Sequence, residues 1–271
     1  MPVGLDQIVA ATRRRIAEAR RSADRRALER QAEKHVPRGF RVSLKTASAS
    51  GVAVIAELKK ASPSRGLIRQ NFDPKKLAQE LECGGATALS VLTDEEFFQG
   101  SLANLRIASE STRLPCLRKD FIVDELQLVE ARANQADAVL LIVAALSEEE
   151  LHRLAKASRG LELDVLCEAH DEDQLKRALE AGCNLIGVNT RDLRTFEVDL
   201  KTAFRLAEMI PSHVVSVAES GIHSGADIAR LRAAGYQAFL IGESLMKTGK
   251  PGDTLRLLLR TANDQRPTTV L

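Results

Sequence analysis

Aromatic residues make up only 3% of this sequence and tryptophan is absent, so the core has to be assembled from valine, isoleucine, leucine and alanine. No apolar run approaches the ~20 residues that span a bilayer. The arginine-rich N-terminus also lacks the apolar stretch of a secretory signal. A cytoplasmic location without membrane contact is therefore expected. Four cysteines, Cys83, Cys116, Cys167 and Cys183, are too scattered for a disulfide framework, and none forms a C-x-x-C pair. They read as small buried hydrophobes. The five histidines show neither H-x₃₋₅-H nor H-E-x-x-H spacing, which argues against a metal centre of the zinc type.

What is present is an ordinary globular composition, 44% hydrophobic and 28% charged, at a length of 271 residues that suits a single α/β barrel. The net charge of +2 hides an uneven distribution: residues 1–45 carry 12 Lys/Arg against 5 Asp/Glu. A basic arm invites a nucleic-acid reading. However, Leu5, Ile8, Val9, Thr12, Ile16 and Ala19 recur at helical spacing, so this segment is expected to pack one face on a body and leave its arginines as a solvated face. With no interleaved aromatics to stack bases, no nucleic-acid partner is expected. A linker from His35 and a short helix from Phe40 to Thr46 complete a helical N-terminal extension, residues 1–48, ahead of a domain spanning 49–271.

From there the chain repeats itself. Leu81 to Leu92, Leu179 to Asn189 and Leu231 to Gly242 each read as a helix end, a glycine suited to the left-handed position, a few residues and an apolar strand. The stretch from Val129 to Leu141 is a glycine-free fourth copy. Strands are expected at 52–57, 86–92, 114–119, 136–143, 163–168, 184–189, 214–219 and 237–242. Helical patterns follow them near 74–83, 101–110, 123–134, 147–158, 171–181, 199–209, 224–234 and 252–262. Helix starts are signalled by Asp73-Pro74, Ser147 with Glu150, Asp171, and Asp253-Thr254. This alternation predicts a closed (β/α)8 TIM barrel.

Active sites of such barrels lie at the C-terminal strand ends, and five of these strands end in polar residues. In the first, a side-chain period of two sends Ala53, Ile55, Glu57 and Lys59 into the same space. Ionised groups are not left in an apolar interior without partners or a task. The third strand ends with Lys119, the fifth with Glu168-Ala-His170, the sixth with Asn189-Thr-Arg191 and the seventh with Glu219-Ser220-Gly221. Ser62-Pro63-Ser64-Arg65-Gly66 after the first strand reads as a loop, because Pro63 has no N–H to donate. Gly221 and the sequence Gly242-Glu243-Ser244, opening a short helix after strand eight, suit a phosphate. Gly242 would let the backbone approach it.

Several stretches resemble the indole-3-glycerol-phosphate synthase family over essentially the whole chain. They are Glu57-Leu-Lys59-Lys-Ala-Ser62-Pro-Ser64-Arg-Gly66, Leu92 to Ser101, Arg118-Lys119-Asp120-Phe121, Gly187 to Leu193, Ala218 to Ile222 and Ile241 to Met246. The resemblance implies ring closure of 1-(2-carboxyphenylamino)-1-deoxyribulose 5-phosphate to indole-3-glycerol phosphate in tryptophan biosynthesis, with loss of carbon dioxide and water and without a cofactor. It also implies a role for each matching residue. Lys119 would be the general acid on the substrate carbonyl. Lys59, held by Glu57, would pair with the substrate carboxylate, and Glu168 would be the base of the dehydration. Asn189 and Glu219 would position the amine and sugar hydroxyls. Ser220, Gly221, Gly242, Glu243 and Ser244 would surround the phosphate; Phe98 and Phe121 would pack the anthranilate ring; Ser62 and Arg191 would also bind substrate.

A phosphorylated small molecule is then the expected partner, and the chain a monomer or weak homodimer. The phosphate end equally resembles other phosphate-binding barrels such as phosphoribosylanthranilate isomerase. That family uses a Cys/Asp acid–base pair, where this chain's first strand offers Glu57 and Lys59. A substrate-shielding role is expected for the N-terminal arm and the Ser62–Gly66 loop.

Overall fold

A computed structural model describes residues 4–190 and 200–264. Eight parallel strands close on themselves. They are β1 (Ala53–Leu58), β2 (Ala88–Leu92), β3 (Cys116–Lys119), β4 (Ala138–Ile142), β5 (Asp164–Ala169), β6 (Leu185–Asn189), β7 (Val215–Glu219) and β8 (Ala238–Ile241). Each strand pairs with its successor, and β1 seals the ring against β8 with Ala53 opposite Ala238. The fold is a (β/α)8 TIM barrel with N-terminal helices.

The strands' period of two divides the core in two. Ala53, Ile55, Leu117, Leu140, Leu166, Val217 and Leu240 point inward and fill the barrel. Val54, Ala56, Val91, Val139, Cys167, Val188 and Phe239 point outward to the helices. Small aliphatic side chains meet both demands, which is how so few aromatics suffice.

Three helices precede the barrel: α1 (Leu5–Ser22), α2 (Arg25–Ala32) and α3 (Phe40–Ser50). Two of them touch opposite ends of it. α3 plugs the N-terminal end, where Phe40 and Leu44 are fully buried within the interior cluster. The linker before it is pinned by the buried Asp137. Its carboxylate accepts from the Arg38 amide at 2.6 Å, the Arg38 guanidinium at 2.6 Å, the Cys116 amide at 2.6 Å and His35 at 3.2 Å.

The left-handed turns fall where the glycines suggest, at Gly85, Gly182 and Gly235. In the glycine-free copy Gln135 adopts the same conformation, with φ of 65°, at some cost for a residue with a Cβ. Three expectations are corrected. Residues 61–67 are not only a loop, because Ala61–Ser62 and Gly66–Leu67 form a short antiparallel hairpin. The last helix starts at Pro251, before Asp253, since proline is tolerated in a first turn. Cys83 is exposed while the other three cysteines are buried. The arm's arginines form the exposed face expected of them, with Arg13, Arg14, Arg20 and Arg21 exposed, and three also reach acids beyond the arm: Arg13 binds Glu150 at 2.8 Å, Arg20 binds Asp124 at 3.1 Å and Arg15 approaches Asp120 at 3.9 Å.

Candidate active site

The inward residues at the C-terminal strand ends are Glu57, Lys119, Glu168, Asn189 and Glu219. Each continues an apolar inward row, so the strand register alone aims them at one point. Lys119 stands at the centre, with Nζ 3.2 Å from Glu168 Oε2 and 3.9 Å from Glu219 Oε2. Its neighbour Arg118 points the other way, where Asp120 at 2.8 Å and Glu130 at 3.2 Å neutralise it. Lys59 closes on Glu57 at 3.0 Å, and Ser90 Oγ donates to the other Glu57 oxygen at 3.4 Å. Asn189 Nδ2 donates to Glu168 Oε1 at 3.2 Å, and its Oδ1 accepts from Ser220 Oγ at 2.8 Å.

This packing sorts the protons. Burial disfavours the Lys119 ammonium, but Glu168, Glu219 and Glu57 outweigh it and raise its pKa. Burial would raise Glu168 as well, yet the charges of Lys119 and His170 and the Asn189 hydrogen bond bring it to about 2. Glu219 moves the opposite way, pushed well up by burial and by the Glu168 charge. The two buried carboxyl groups beside the Lys119 ammonium are thus pushed in opposite directions, a separation typical of acid–base sites.

Two glycines make this crowding possible. Gly187 points inward on β6, and a Cβ there would overlap Glu219 Oε1 and lie 3.2 Å from its Cδ. At Gly242 a Cβ would sit 2.6 Å from Glu57 Oε1. Gly242 thus makes room for a carboxylate, a constraint separate from the approach to phosphate.

On one side of the cluster the Phe98 and Phe121 rings face each other at 6.0 Å and 38°. Buried aspartates hold the loops that present them: Asp94 accepts from the Phe97 and Phe98 amides, and Asp120 from the Phe121 amide at 2.8 Å. On the other side Ser220 and Gly221 are both left-handed, with φ of 65° and 70°. Such a turn directs backbone N–H groups into a concavity suited to an anion. Facing it are Gly242 and the helix Glu243–Met246, with the Glu243 side chain tied to Lys247 and Arg65. One cavity is lined by all of these groups together with Ser62 and Ser244.

The sequence profile of indole-3-glycerol phosphate synthase matches residues 5–258. The chain belongs to that family. It is 57% identical to the indole-3-glycerol phosphate synthase of Koribacter versatilis over 94% of this chain and 98% of that protein. Identity to the enzyme of the same name from Desulfotalea psychrophila is 49%, over 94% and 98% of the two chains. Among solved structures, KGPDC from Streptococcus mutans superposes with a TM-score of 0.61 at 12% identity, covering 79% of this chain and 99% of that one. Thiamine phosphate pyrophosphorylase from Pyrococcus furiosus gives 0.60 at 13%, over 79% and 96%. These two likenesses speak for the barrel alone.

Of the residues singled out from the sequence, Arg191 lies outside the described residues, and the other fourteen share the cavity wall. Leu5 and Ile8 of α1 roof the cavity, while sequence reasoning missed Ser90, Asp94 and Asp120. The two aspartates carry a signal that was available, since each follows a strand end and begins a loop bearing a phenylalanine. Helical spacing marked Leu5 and Ile8 as part of a packing face and the arm was expected to shield the substrate, but that these two side chains line the cavity depends on where the arm lands on the barrel.

Proposed function

We propose that the chain closes the pyrrole ring of indole-3-glycerol phosphate from 1-(2-carboxyphenylamino)-1-deoxyribulose 5-phosphate, releasing carbon dioxide and water, as a carbon–carbon lyase of tryptophan biosynthesis. The observation that carries the mechanism is the place of Lys119, whose Nζ lies 3.2 Å from Glu168 and 3.9 Å from Glu219 at the closed end of the cavity. Attack of the aryl carbon on the carbonyl builds negative charge on oxygen, and Lys119 is the proton donor placed to meet it. Lys59, oriented by Glu57, pairs with the substrate carboxylate until it leaves as carbon dioxide. Glu168, the ionised carboxylate, removes the proton whose loss accompanies dehydration. Glu219 positions a substrate hydroxyl together with Asn189. The ring lies against Phe98 and Phe121, with Ser62 and Arg191 as further binding groups. The phosphate takes the backbone N–H groups of Ser220, Gly221, Gly242, Glu243 and Ser244.

α1 shields this chemistry from water through Leu5 and Ile8. The extension, residues 1–48, and the barrel, 49–271, are one functional unit in this reading. We take the chain to be cytoplasmic, and a monomer or weak homodimer. In support, no described helix is long and apolar enough to cross a membrane. Sedimentation velocity tests the oligomeric state.

Indole fluorescence on adding the carboxyphenylamino substrate to the wild type and to Lys119→Met tests the function. Turnover in the first and a loss of about 10²–10⁴ in kcat in the second are expected. A folded wild type without turnover would refute the reading, and equal rates would remove Lys119 as the acid. The isomerase alternative has no structural observation in its favour.

A further inference from the structure

Three arginines of α1 reach acids of the barrel, and the acids differ. Glu150 and Asp124, on Arg13 and Arg20, are partly open to solvent, and such pairs contribute little. Asp120, which faces Arg15 at 3.9 Å, has a fully buried side chain. The Nη2 of Arg15 is also buried and has no hydrogen-bond partner. Buried donors are normally satisfied, and this one stands about 1 Å short of a hydrogen bond to Asp120.

The charges around it show what the contact serves. Asp120 and Asp94 are both buried, and they hold the loops that present Phe121 and Phe98. Burial and the Asp120 charge push the Asp94 pKa up, against the Phe97 amide and the Arg15 charge. The other cation here, Arg118, is occupied: Nε and Nη2 lie on Asp120, and Nη1 on the Gln127 carbonyl and Glu130. Lys119 points into the barrel toward Glu168 and Glu219, and Arg20 sits further out on Asp124. Arg15 therefore brings the arm's positive charge to the two aspartates that support the aromatic pair.

We propose that Arg15 is a positioning residue that couples the arm to the ring pocket. Binding of the substrate's aromatic ring against Phe98 and Phe121 draws Arg15 onto Asp120, and Leu5 and Ile8 of the same helix onto the ring. This deepens the reading of the ring site and rests on it. Arg15 is absent from the cavity wall, whereas Leu5, Ile8 and Asp120 line it, so Arg15 acts through them. The coupling is reciprocal: what the docked arm adds to ring affinity, the ring adds to docking of the arm.

Anthranilate, a fluorescent acid with the substrate's ring, probes this end of the cavity, and inorganic phosphate probes the other. Arg15→Met removes the charge and keeps an unbranched stem; Arg15→Lys keeps the charge. Arg15→Met is expected to raise KM for indole formation about tenfold while kcat stays within about threefold. It should weaken anthranilate by the same factor and leave phosphate binding unchanged, and Arg15→Lys should restore most of the affinity. Added to Leu5→Ala with Ile8→Ala, it should raise KM by a smaller factor than it does alone, because the roof it holds is already gone. Wild-type anthranilate affinity in Arg15→Met overturns the proposal. An equal loss for anthranilate and phosphate also overturns it, since that marks a general loosening of the fold.

One measurement needs no variant. Saturating anthranilate should slow amide hydrogen exchange along α1 of the wild type, and by more than saturating phosphate does. Exchange that anthranilate leaves unchanged overturns the coupling even if the variants fail to fold. A folded wild type that neither makes indole nor binds anthranilate would instead remove the reading of the ring site itself.

Discussion

Gly187→Ala adds one methyl group inside the barrel, and the structure states where it goes. The new Cβ would overlap Glu219 Oε1 and come within 3.2 Å of both Glu219 Cδ and Leu166 Cδ1. Leu166 belongs to the packed interior, so the Glu219 carboxyl has to yield, by about 1 Å. A displacement of that size in a reacting constellation costs about 10²-fold in rate, whereas overpacking a core costs about 1–3 kcal/mol of stability. The expected variant is therefore folded, with Tm lowered by a few degrees, and about a hundredfold slower in kcat by indole fluorescence. Shortening the displaced side chain should compensate: Gly187→Ala with Glu219→Asp should be faster than Gly187→Ala alone, although Glu219→Asp by itself should be slower than wild type. If Gly187→Ala keeps kcat within roughly twofold, or if the double variant shows no recovery, the claim that Gly187 exists to seat Glu219 is refuted.

Asp137→Asn removes the charge that holds Arg38 and the linker to the barrel's lower end, and should cost about 3 kcal/mol in urea unfolding. Burial alone would raise the Asp137 pKa, but His35 and Arg38 outweigh it and lower it. Its stabilisation is therefore complete above the unfolded value of about 3.9 and is lost as pH falls through the lower folded value. The gap between wild type and variant should thus close in acid; a constant gap down to pH 3 would contradict this. Gln135→Gly relieves a left-handed residue with φ of 65°; the relief of about 1–2 kcal/mol exceeds the entropy cost of about 0.5–1 kcal/mol, so Tm should rise slightly. Leu5→Ala with Ile8→Ala strips the roof of the cavity. The pair should raise KM about 10- to 100-fold, from the loss of about 1.5–3 kcal/mol of apolar burial, and a KM unchanged in a folded protein would mean that the arm does not cover the substrate.

How much of this was legible beforehand depended on the range of the forces involved. The barrel was readable because the strand's period of two and the helix's period of 3.6 are local, and a long chain of them in alternation closes in few ways. Glu57, Lys119, Glu168, Asn189 and Glu219 were readable for the same reason, each being the polar end of an apolar inward row. The hairpin at 61–67 was not, because two residues per strand leave no periodic signal. Gln135 was not, because its left-handed turn is imposed by the repeated helix-to-strand connection around it, against its own preference.

What the sequence determined by itself was therefore the fold, the end of the barrel that carries the chemistry and the residue types gathered there. Only the tertiary structure decided that the Glu168 and Glu219 carboxyls shift in opposite directions, since burial and the charges of other strands act on them across space. It likewise decided that Gly187 and Gly242 are the empty volume those side chains occupy and that Leu5 and Ile8 roof the cavity. The physical reason is the same in each case: dielectric, contact and hydrogen-bond direction belong to groups far apart in the chain, and exist only once the barrel has closed.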